Sequence, residues 1–520
     1  MPSLFNRNFS YANAEAFKKL FSNSGQYFYI GLGYQDGDIS STTPTDSFDD
    51  EFTIWENLLS LSRVIDGNVR HVTRMYEWTS GTTYTIYEHD ATNIMTRDGT
   101  SVNPFYVVHN RNVYKCISNN KNGTSTVKPT STGTSVFELS DNYNWKFMFQ
   151  ISASDQNKFL DADYIPVRKL TGNPTHDVTG EVDSITITAG GTGYTSVPTV
   201  VIQGDGDGLA SGTATISGGA VTGVTITASG SGYSFAFVTF TGGGGSNAAG
   251  TVNLGDADAL PTLQSAVEGA AVSGTLDRVI VTAAGQDYAA SDVQVTVEGD
   301  GTGAEASAYV NAATGSLTKI RVTNPGSGYS YADIKITNTA APGTGATARA
   351  IVSPQGGHGS NAVRELFAHN VGVTVSFSDN DNRDLILGND FRQIALIKNV
   401  KTPAGVTYTT NTATTCHIIN VATVADYAVD DIITTDDGGS FTVIQIDTTN
   451  KNIYLTSTNP AITVNSTLTN TTQSKSSLSI NSLTDPEVDN ATGEVIYLDN
   501  RSPIIRSADQ VEQIKALIRF

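Results

Sequence analysis

The sequence predicts a mainly β, multidomain protein with a few helices, in the α+β class. Its 520 residues exceed what one hydrophobic core usually organises. The 49 glycines, together with many Thr, Ser and Asn residues, are typical of turn-rich β structure. A repeat of Gly-Tyr turns between short apolar strands runs through the middle of the chain. These observations predict several β domains rather than one large α/β unit.

The first 60 residues contain two predicted helices. One covers residues 14–21, where apolar side chains recur at helical spacing before Gly25. The second is expected to begin at Asp49 or Asp50 and to continue through a run of apolar residues, namely Phe52, Trp55, Leu58, Leu59 and Leu61. From about residue 68 to 168 the pattern changes to short strands with alternating aromatic and β-branched residues. One of these predicted strands, NWKFMFQIS, contains Trp145.

The central segment, residues 181–353, consists of four imperfect copies of one motif. Each copy is a strand, a Gly-rich turn that ends in Tyr, a second strand, another Gly turn and a third strand. The marker tyrosines are Tyr194, Tyr233, Tyr288 and Tyr329. One copy is too thin to bury its own apolar face, so the copies are expected to pair or stack into β-sandwich-like modules.

The predicted organisation is a host fold that two modules interrupt. The host consists of residues 1–180, 354–411 and 483–520, the repeats occupy 181–353, and a small β-barrel occupies 412–482. An insert of this size is expected to carry its own core. Deletion of residues 181–352 should therefore leave a soluble protein.

Charge and cysteine content narrow the classes of function. The formal net charge is −20, and a surface this acidic repels nucleic-acid phosphates and anionic membranes. The two cysteines are 300 positions apart and form no disulfide framework or CxxC metal motif. The first residues lack the apolar run of a signal peptide, so we expect folding in a reducing cytoplasm, with neither nucleic acid nor a membrane as partner.

Candidate chemical groups are better explained as structure. Asp205, Asp207 and Asp300 lie in Gly-rich turns that lack calcium-loop spacing, and Asp379, Asp381 and Asp384 are expected in a solvated loop. The histidines show no metal-binding pair, and nucleophile, phosphate and dinucleotide motifs are absent from the sequence. We expect no enzyme activity, catalytic residue, metal or cofactor. Arg501 is expected to form a structural ion pair with Asp499 or Asp509.

Three segments resemble one phage protein family. From the N-terminal end, the first combines NVYKCI, DNYNWKFMFQIS and ADYIPV, the second is DFRQIALI, and the third is TGEVIYLDNRSPIIRSADQVEQIKALIRF. They resemble segments of the baseplate wedge subunit of T-even-type contractile phages, the gene product eight family, and they occur in the same order as in that family. The GSGY-type repeats instead look like those of other virion proteins, notably from phages of cyanobacteria. The structural or interface candidates that the resemblance implies are Phe391, Arg392, Tyr497, Asn500, Arg501, Pro503, Asp509, Gln510 and Trp145.

The resemblance implies a homodimeric, β-rich structural protein of the virion. It would lie in the tail baseplate, contact other wedge proteins, and be made and assembled in the host cytoplasm. The alternative function is a receptor-binding or carbohydrate-binding tail protein whose repeat tyrosines face host-surface glycans. A solvent-facing row of tyrosines would favour that alternative, whereas tyrosines buried over turns would count against it.

Overall fold

The structure of the protein is a computed structural model. It describes residues 6–21, 23, 25–34, 41–45, 47–88, 104–170, 181–204, 208–228, 230, 233, 236–255, 260–340, 342–377, 390–436, 438–456, 462–489, 492–505 and 512–520. Asp205, Asp207, Asp379, Asp381, Asp384, Asp509 and Gln510 lie outside the described residues.

Strands greatly outnumber helices in the described residues, which confirms the β-rich, multidomain fold class. The helices are α1 (Arg7–Leu20), α2 (Phe48–Asn57), α3 (Ala153–Phe159), α4 (Leu260–Gly269) and α5 (Ala362–Glu365). The strands before the repeats are β1 (Phe28–Gly33), β2 (Leu58–Val64), β3 (Val69–Arg74), β4 (Tyr106–His109), β5 (Asn112–Asn119), β6 (Phe137–Glu138), β7 (Tyr143–Gln150) and β8 (Tyr164–Val167).

The four repeat copies contribute three strands each. They are β9 (Glu181–Thr192), β10 (Thr199–Gly204), β11 (Ser211–Ser217), β12 (Ala220–Ala228), β13 (Ala236–Thr241), β14 (Ser246–Gly255), β15 (Leu276–Gln286), β16 (Val293–Gly299), β17 (Thr302–Val310), β18 (Leu317–Ser327), β19 (Ala332–Asn338) and β20 (Thr344–Val352). This is the three-strand pattern that the repeat predicts.

The remaining strands follow the repeats. They are β21 (Asn370–Phe377), β22 (Asp390–Lys398), β23 (Thr412–Thr414), β24 (His417–Val421), β25 (Ile432–Thr435), β26 (Ser440–Asp447), β27 (Asn452–Leu455), β28 (Leu468–Asn470), β29 (Lys475–Leu478), β30 (Ile480–Thr484), β31 (Glu494–Ile505) and β32 (Glu512–Ile518). The chain divides into two compact units, the first with residues 1–15, 70–372 and 517–520, the second with residues 16–69 and 373–516. The boundaries predicted from the sequence for the host and its two inserts remain a prediction.

The second predicted helix is shorter than expected. The Ser47 hydroxyl caps α2 by accepting a hydrogen bond from the Asp50 backbone N–H at 3.2 Å, so neither Asp49 nor Asp50 is the cap. The helix ends at Asn57, and Leu58, Leu59 and Leu61 belong to β2, where they are buried. A continuous apolar run suits a buried strand as well as a helix, and pairing with β1 decides between them here.

A four-stranded antiparallel sheet of the first unit has the order β4-β5-β7-β6. Cys116 on β5 lies opposite Trp145 on β7, and Trp145 is fully buried. The Trp145 indole stacks on Tyr143, with ring centroids 5.6 Å apart and planes 20° apart. This apolar cluster also contains Tyr84, Val107, Tyr114, Phe147 and Val267. Trp145 is therefore a core residue of the first unit.

The repeat copies pair, as predicted, and every extended ladder between the described repeat residues joins two different copies. Copies one and two form one six-stranded sheet, with the order β12-β11-β10-β13-β14-β9. Copies three and four form another, with the order β16-β19-β20-β15-β18-β17. In both pairs the first strand of each copy pairs with the third strand of the other, as in β9 with β14 and β15 with β20. The two middle strands also pair with each other.

These two sheets curl until their outer strands meet, so they approach barrels rather than the predicted sandwiches. The edge strands β9 and β12 lie beside each other in the first sheet, as β16 and β17 do in the second. Small residues on the inner face permit this curvature, because alanine side chains leave room across a narrow interior. The interior of the second sheet contains Val279, Leu317, Ile320 and a row of alanines.

The marker tyrosines pack against the partner copy. Each of the four is buried, with at most 7% of its surface exposed. The Tyr329 ring covers Gly301, where an added Cβ would lie 2.4 Å from the ring, and its hydroxyl accepts a hydrogen bond from the Ala304 backbone N–H at 3.3 Å. Tyr288 makes the equivalent contacts with Gly343 and Ala346. The tyrosine of one copy thus closes the glycine turn of the other.

The second unit contains a five-stranded sheet with the order β23-β2-β1-β22-β31. Helix α2 packs on one face of it through Ile54 and Trp55. Gly33 on β1 makes room for this packing, because an added Cβ there would lie 2.8 Å from Ile54. Gly31 makes room for side chains of the neighbouring strands, since an added Cβ there would lie 2.6 Å from Leu58.

A seven-stranded sheet of the second unit has the order β29-β28-β25-β26-β27-β24-β30. Its two outer strands, β29 and β30, are separated in the chain by Ser479 alone, so the edges of the sheet must lie close together. Eleven buried side chains, including Phe441, Ile453 and Leu468, form its core. The seven strands lie between His417 and Thr484, in the region where the sequence predicts a small barrel.

Helix α4 belongs to the repeat segment in sequence but not in packing. Its Val267 is fully buried in the cluster around Trp145, and Leu263 packs against the same cluster. The Gln264 side chain donates a hydrogen bond to the Arg168 carbonyl oxygen at 2.7 Å. Removal of residues 181–352 would therefore open the core of the β4-β5-β7-β6 sheet, contrary to the expectation of a self-contained insert.

The tyrosine–glycine contact between copies should be a main source of module stability. We expect Tyr329→Ala to lower the free energy of unfolding of the second repeat module by about 3–5 kcal/mol, because a buried ring is lost. Tyr329→Phe should lower it by about 1 kcal/mol through the lost hydrogen bond. Tyr331 is the control, because its side chain is 60% exposed. Tyr331→Ala should change the free energy of unfolding by less than about 0.5 kcal/mol. Scanning calorimetry of the full chain measures these effects, and equal effects of the two alanine variants would contradict the assignment.

Two deletions test the role of α4. Replacement of residues 181–255 by a short Gly-Ser linker removes the first repeat module and keeps α4, and this variant should remain soluble and folded. Replacement of residues 181–352 also removes Val267, exposes the cluster around Trp145 and should cause aggregation. Soluble yield and size-exclusion elution distinguish the two variants. Equal solubility would show that α4 is dispensable for the host core.

Candidate functional site

Two segments that resemble the phage family lie side by side in the second unit. Residues 391–394 are on β22 and residues 497–504 are on β31, and the two strands pair antiparallel. Phe391 lies opposite Ile504, and Gln393 lies opposite Asn500. More than 100 positions separate these segments in the chain. The structure therefore brings together Phe391, Arg392, Tyr497, Asn500, Arg501 and Pro503 in one two-stranded ladder.

Asn500 connects three parts of the second unit. Its Oδ1 accepts a hydrogen bond from the Gln393 side chain at 2.9 Å, and its Nδ2 donates one to the Thr42 carbonyl oxygen at 2.9 Å. Gln393 is buried, so without Asn500 its amide would lack this partner inside the sheet. Asn500 therefore has a structural role that its place in the family-like motif does not reveal.

Arg501 and Pro503 lie in a bulge opposite Arg392. The ladder register shifts between Phe391 and Gln393, so three residues of β31 face one residue of β22. Pro503 has no backbone N–H, and a bulge is a place where a strand tolerates that loss. The Arg501 guanidinium pairs with Asp499 at 2.6 Å, as one of the two predicted pairings requires. The Arg501 side chain is 49% exposed, so the pair contributes little to stability.

The other motif residues have core or packing roles. Phe391 is buried, and the Arg392 guanidinium lies over the Tyr34 ring at 4.8 Å from its centroid. Tyr497 is half-buried, and burial raises the pKa of its phenol. Trp145 lies in the core of the first unit, and the structure gives it no place in the β22–β31 ladder.

The outer edge of β31 faces no other strand among the described residues. β31 is the last strand of its sheet, and its 12 residues make a long edge. Ile496 and Ile504 on this strand are 39% and 37% exposed. Exposed edge strands with apolar side chains are templates for pairing with another chain unless charge or proline interrupts them. Here the charged residues Glu494, Asp499 and Arg501 and the proline Pro503 leave the segment from Val495 to Leu498 without charge or proline.

A second exposed apolar feature of the second unit is on α2. Phe48 and Phe52, one helical turn apart, are 80% and 60% exposed. Acidic residues in the first turn, Asp49, Asp50 and Glu51, accompany them. Phe52 lies in the helix, as the sequence predicts, but Ile54 and Trp55 occupy the buried face of that helix. Two exposed aromatic rings at i and i+4 are typical of a contact surface.

The repeat tyrosines do not form a solvent-facing row. Tyr194, Tyr233, Tyr288 and Tyr329 are all buried, and the hydroxyls of the last three accept backbone N–H groups at 3.2–3.3 Å. The observation that would favour a glycan-binding function for these side chains is therefore missing.

Among the described residues, no group of three or more His, Cys, Asp or Glu side chains could hold a metal ion. Asp300 is a turn residue, because its carboxylate accepts hydrogen bonds from the Ser330 backbone N–H at 2.8 Å and from the Ser330 hydroxyl. Both cysteines are buried, and burial raises the pKa of the Cys416 thiol to about 12. In the described part of the chain, no helix is both long and apolar enough to cross a membrane.

One buried cluster of charged residues has no counterpart in the sequence analysis. Lys115 on β5 contacts the Glu365 carboxylate, and both side chains are at most 2% exposed. His358 lies between Lys115 and Asp277, with its Nδ1 at 2.7 Å from the Lys115 Nζ and its Nε2 at 2.7 Å from the Asp277 carboxylate. As many as 250 positions separate these residues, so sequence spacing carries no signal of the cluster.

Comparison with known proteins gives no family assignment: no family model matches the chain, and no curated protein is similar to it.

The two polar motif residues of β31 should differ in their effect on stability. We expect Asn500→Ala to lower the free energy of unfolding of the second unit by about 1–3 kcal/mol, because the buried Gln393 amide loses its partner. Arg501→Ala should lower it by less than about 1 kcal/mol, because its ion pair is exposed. Urea unfolding followed by circular dichroism measures both effects. A larger loss for Arg501→Ala would contradict this order.

Proposed function

We propose that the protein is a structural subunit of a contractile phage tail baseplate, of the wedge type. It would act by holding neighbouring proteins in place, without catalysis. The β22–β31 ladder carries the proposal, since the two segments that resemble the wedge family form it and its outer edge pairs with no other strand in the described part of the chain. If the two segments resembled the family only by chance, there would be no reason to expect that they pair with each other as neighbouring strands.

The geometry of β31 supports self-association as the first contact of such a subunit. A second copy of β31, antiparallel to the first, would form backbone hydrogen bonds along both edges and bury Ile496 and Ile504 of both chains. Such a contact is isologous and closes as a dimer, so it does not extend into fibres. This agrees with the homodimer that the resemblance implies.

Phe48 and Phe52 support a second contact, with a different protein of the baseplate. Exposed aromatic side chains are enriched at the energetically important centres of interfaces. The acidic residues around them fit a basic surface on the neighbour. A protein with two separate contact surfaces connects its neighbours, which is the role that we propose.

The mass of the purified protein in solution tests self-association. Light scattering at several concentrations should give a dimer near twice 54.9 kDa. Ile504→Lys should convert it to a monomer, because a buried lysine would then lie opposite Ile496 of the other copy at two places in the new sheet. Val406→Lys is the matched control, since Val406 is 64% exposed outside β31, and this variant should remain dimeric. A trimer would point instead to a fibre-like protein, and a monomer at all concentrations would contradict the proposed contact.

A further inference from the structure

Lys115 and Glu365 form a buried pair in which an amino group contacts a carboxyl group in apolar surroundings. The Lys115 Nζ contacts the Glu365 Oε2, and the two side chains are 0% and 2% exposed. The Tyr87 ring lies over the Nζ at 4.1 Å from its centroid. Phe105 and Phe367 pack against Tyr87, so the pair is enclosed by aromatic rings. Separated charges are unfavourable in such surroundings.

His358 is oriented to accept a proton from Lys115. The Asp277 carboxylate accepts hydrogen bonds only, so the His358 Nε2 that faces it at 2.7 Å carries a proton. The Lys115 ammonium can only donate, so the His358 Nδ1 at 2.7 Å presents its lone pair. Both neighbours thus require the same neutral tautomer. An Asp–His pair that faces a nucleophile is a recurring arrangement for general base catalysis.

Backbone N–H groups hold the Glu365 carboxyl from the other side. Its Oε1 accepts hydrogen bonds from the backbone N–H of Gly359 at 2.9 Å and of Asn361 at 3.1 Å, and the Gly359 N–H is shared with Oε2 at 3.0 Å. Two such donors on one oxygen stabilise the negative charge that develops when a carboxyl carbon is attacked. The Oε2 atom, on the Lys115 side, is then the oxygen of the leaving group.

From this geometry we infer that Lys115 and Glu365 react with each other to form an intramolecular isopeptide bond. The nucleophile is the Lys115 amine, the electrophile is the Glu365 Cδ, and His358 is the base. Nothing in the β22–β31 ladder or in the proposed baseplate role is needed for this reaction.

The reaction is balanced without any other reactant. One ammonium proton passes to the Glu365 Oε2, which leaves a neutral amine beside a carboxylic acid. The Nζ then bonds to Cδ, and the Oε1 charge is held by the Gly359 and Asn361 N–H groups. His358 takes a second proton from Nζ and returns it to Oε2, the Cδ–Oε2 bond breaks, and one water molecule leaves. One N–H remains on the amide.

The surroundings favour each part of this reaction. Burial lowers the pKa of the Lys115 ammonium, which favours the amine, while the Glu365 carboxylate opposes this effect. Burial and the Lys115 charge lower the pKa of His358, which keeps its imidazole neutral. Glu365 and Tyr87 also line a cavity of about 410 Å³, which gives the departing water a path. Two reactants held in contact gain a large effective concentration over free groups.

The bond would join β5 to the segment that follows the last repeat strand. Residues 116–364, with both repeat modules, would then lie within one closed loop. Unfolding of the repeats would leave the host sheet tied to the segment around α5.

Mass spectrometry of the purified full-length protein tests the inference. The denatured wild-type chain should be lighter than its sequence by one water molecule. A tryptic digest should yield a branched peptide that joins Lys115 to Glu365, with no cleavage after Lys115. A mass equal to that of the sequence would overturn the inference. So would a water loss that maps to one linear peptide, as dehydration of an Asp-Gly step such as Asp300–Gly301 would produce.

Variants then assign the roles. Lys115→Met should restore the full mass, and His358→Gln should leave most of the protein unlinked. Lys146→Met is the matched control, because this second buried lysine donates to the Thr134 carbonyl oxygen and not to Glu365. It should retain the water loss. An unchanged yield of the bond in His358→Gln would exclude His358 as the base.

Discussion

A lysine ammonium deep in the first unit constrains everything around it. Lys115 is on β5, where strand alternation directs Tyr114 and Cys116 to the cluster around Trp145 and Lys115 to the opposite face. A buried ammonium group requires partners, and Glu365 and His358 provide them. Both come from the segment that follows the last repeat strand. The position of that segment on the host sheet is therefore determined by charge as well as by apolar packing.

The same cluster also determines where the second repeat module attaches. Asp277 on β15 binds His358, and Arg278 and Arg349 from the same module pair with Glu88 of the host. The Arg278–Glu88 pair is partly buried, so loss of one partner would leave a charge with poor solvation, whereas the Arg349 side chain is 47% exposed. Helix α4 adds Val267 to the host core. The module is consequently an integral part of the first unit, although its sequence is of a different style.

The repeat modules show why copies of a thin motif occur in pairs. A single copy has three strands, and its own strands meet at isolated residue pairs such as Thr199 with Thr213. The long ladders and the tyrosine–glycine contacts all require the other copy. Each copy therefore depends on the other for its extended strand pairing, and we expect pairing of strands far apart in the chain to slow folding. The buried tyrosines serve this pairing, which accounts for their regular recurrence without a ligand.

The sequence alone determines the β-rich class, the strand pattern of the repeats and the position of the marker tyrosines. These follow from local patterns of alternation and glycine turns, which act over a few residues. Only the tertiary structure decides that Leu58 continues into a strand, that Phe52 is exposed, and that β22 and β31 form one ladder. It alone also assembles Lys115, His358, Asp277 and Glu365. Local propensity cannot determine these features, because each depends on which distant segment supplies the neighbouring strand or the opposite charge.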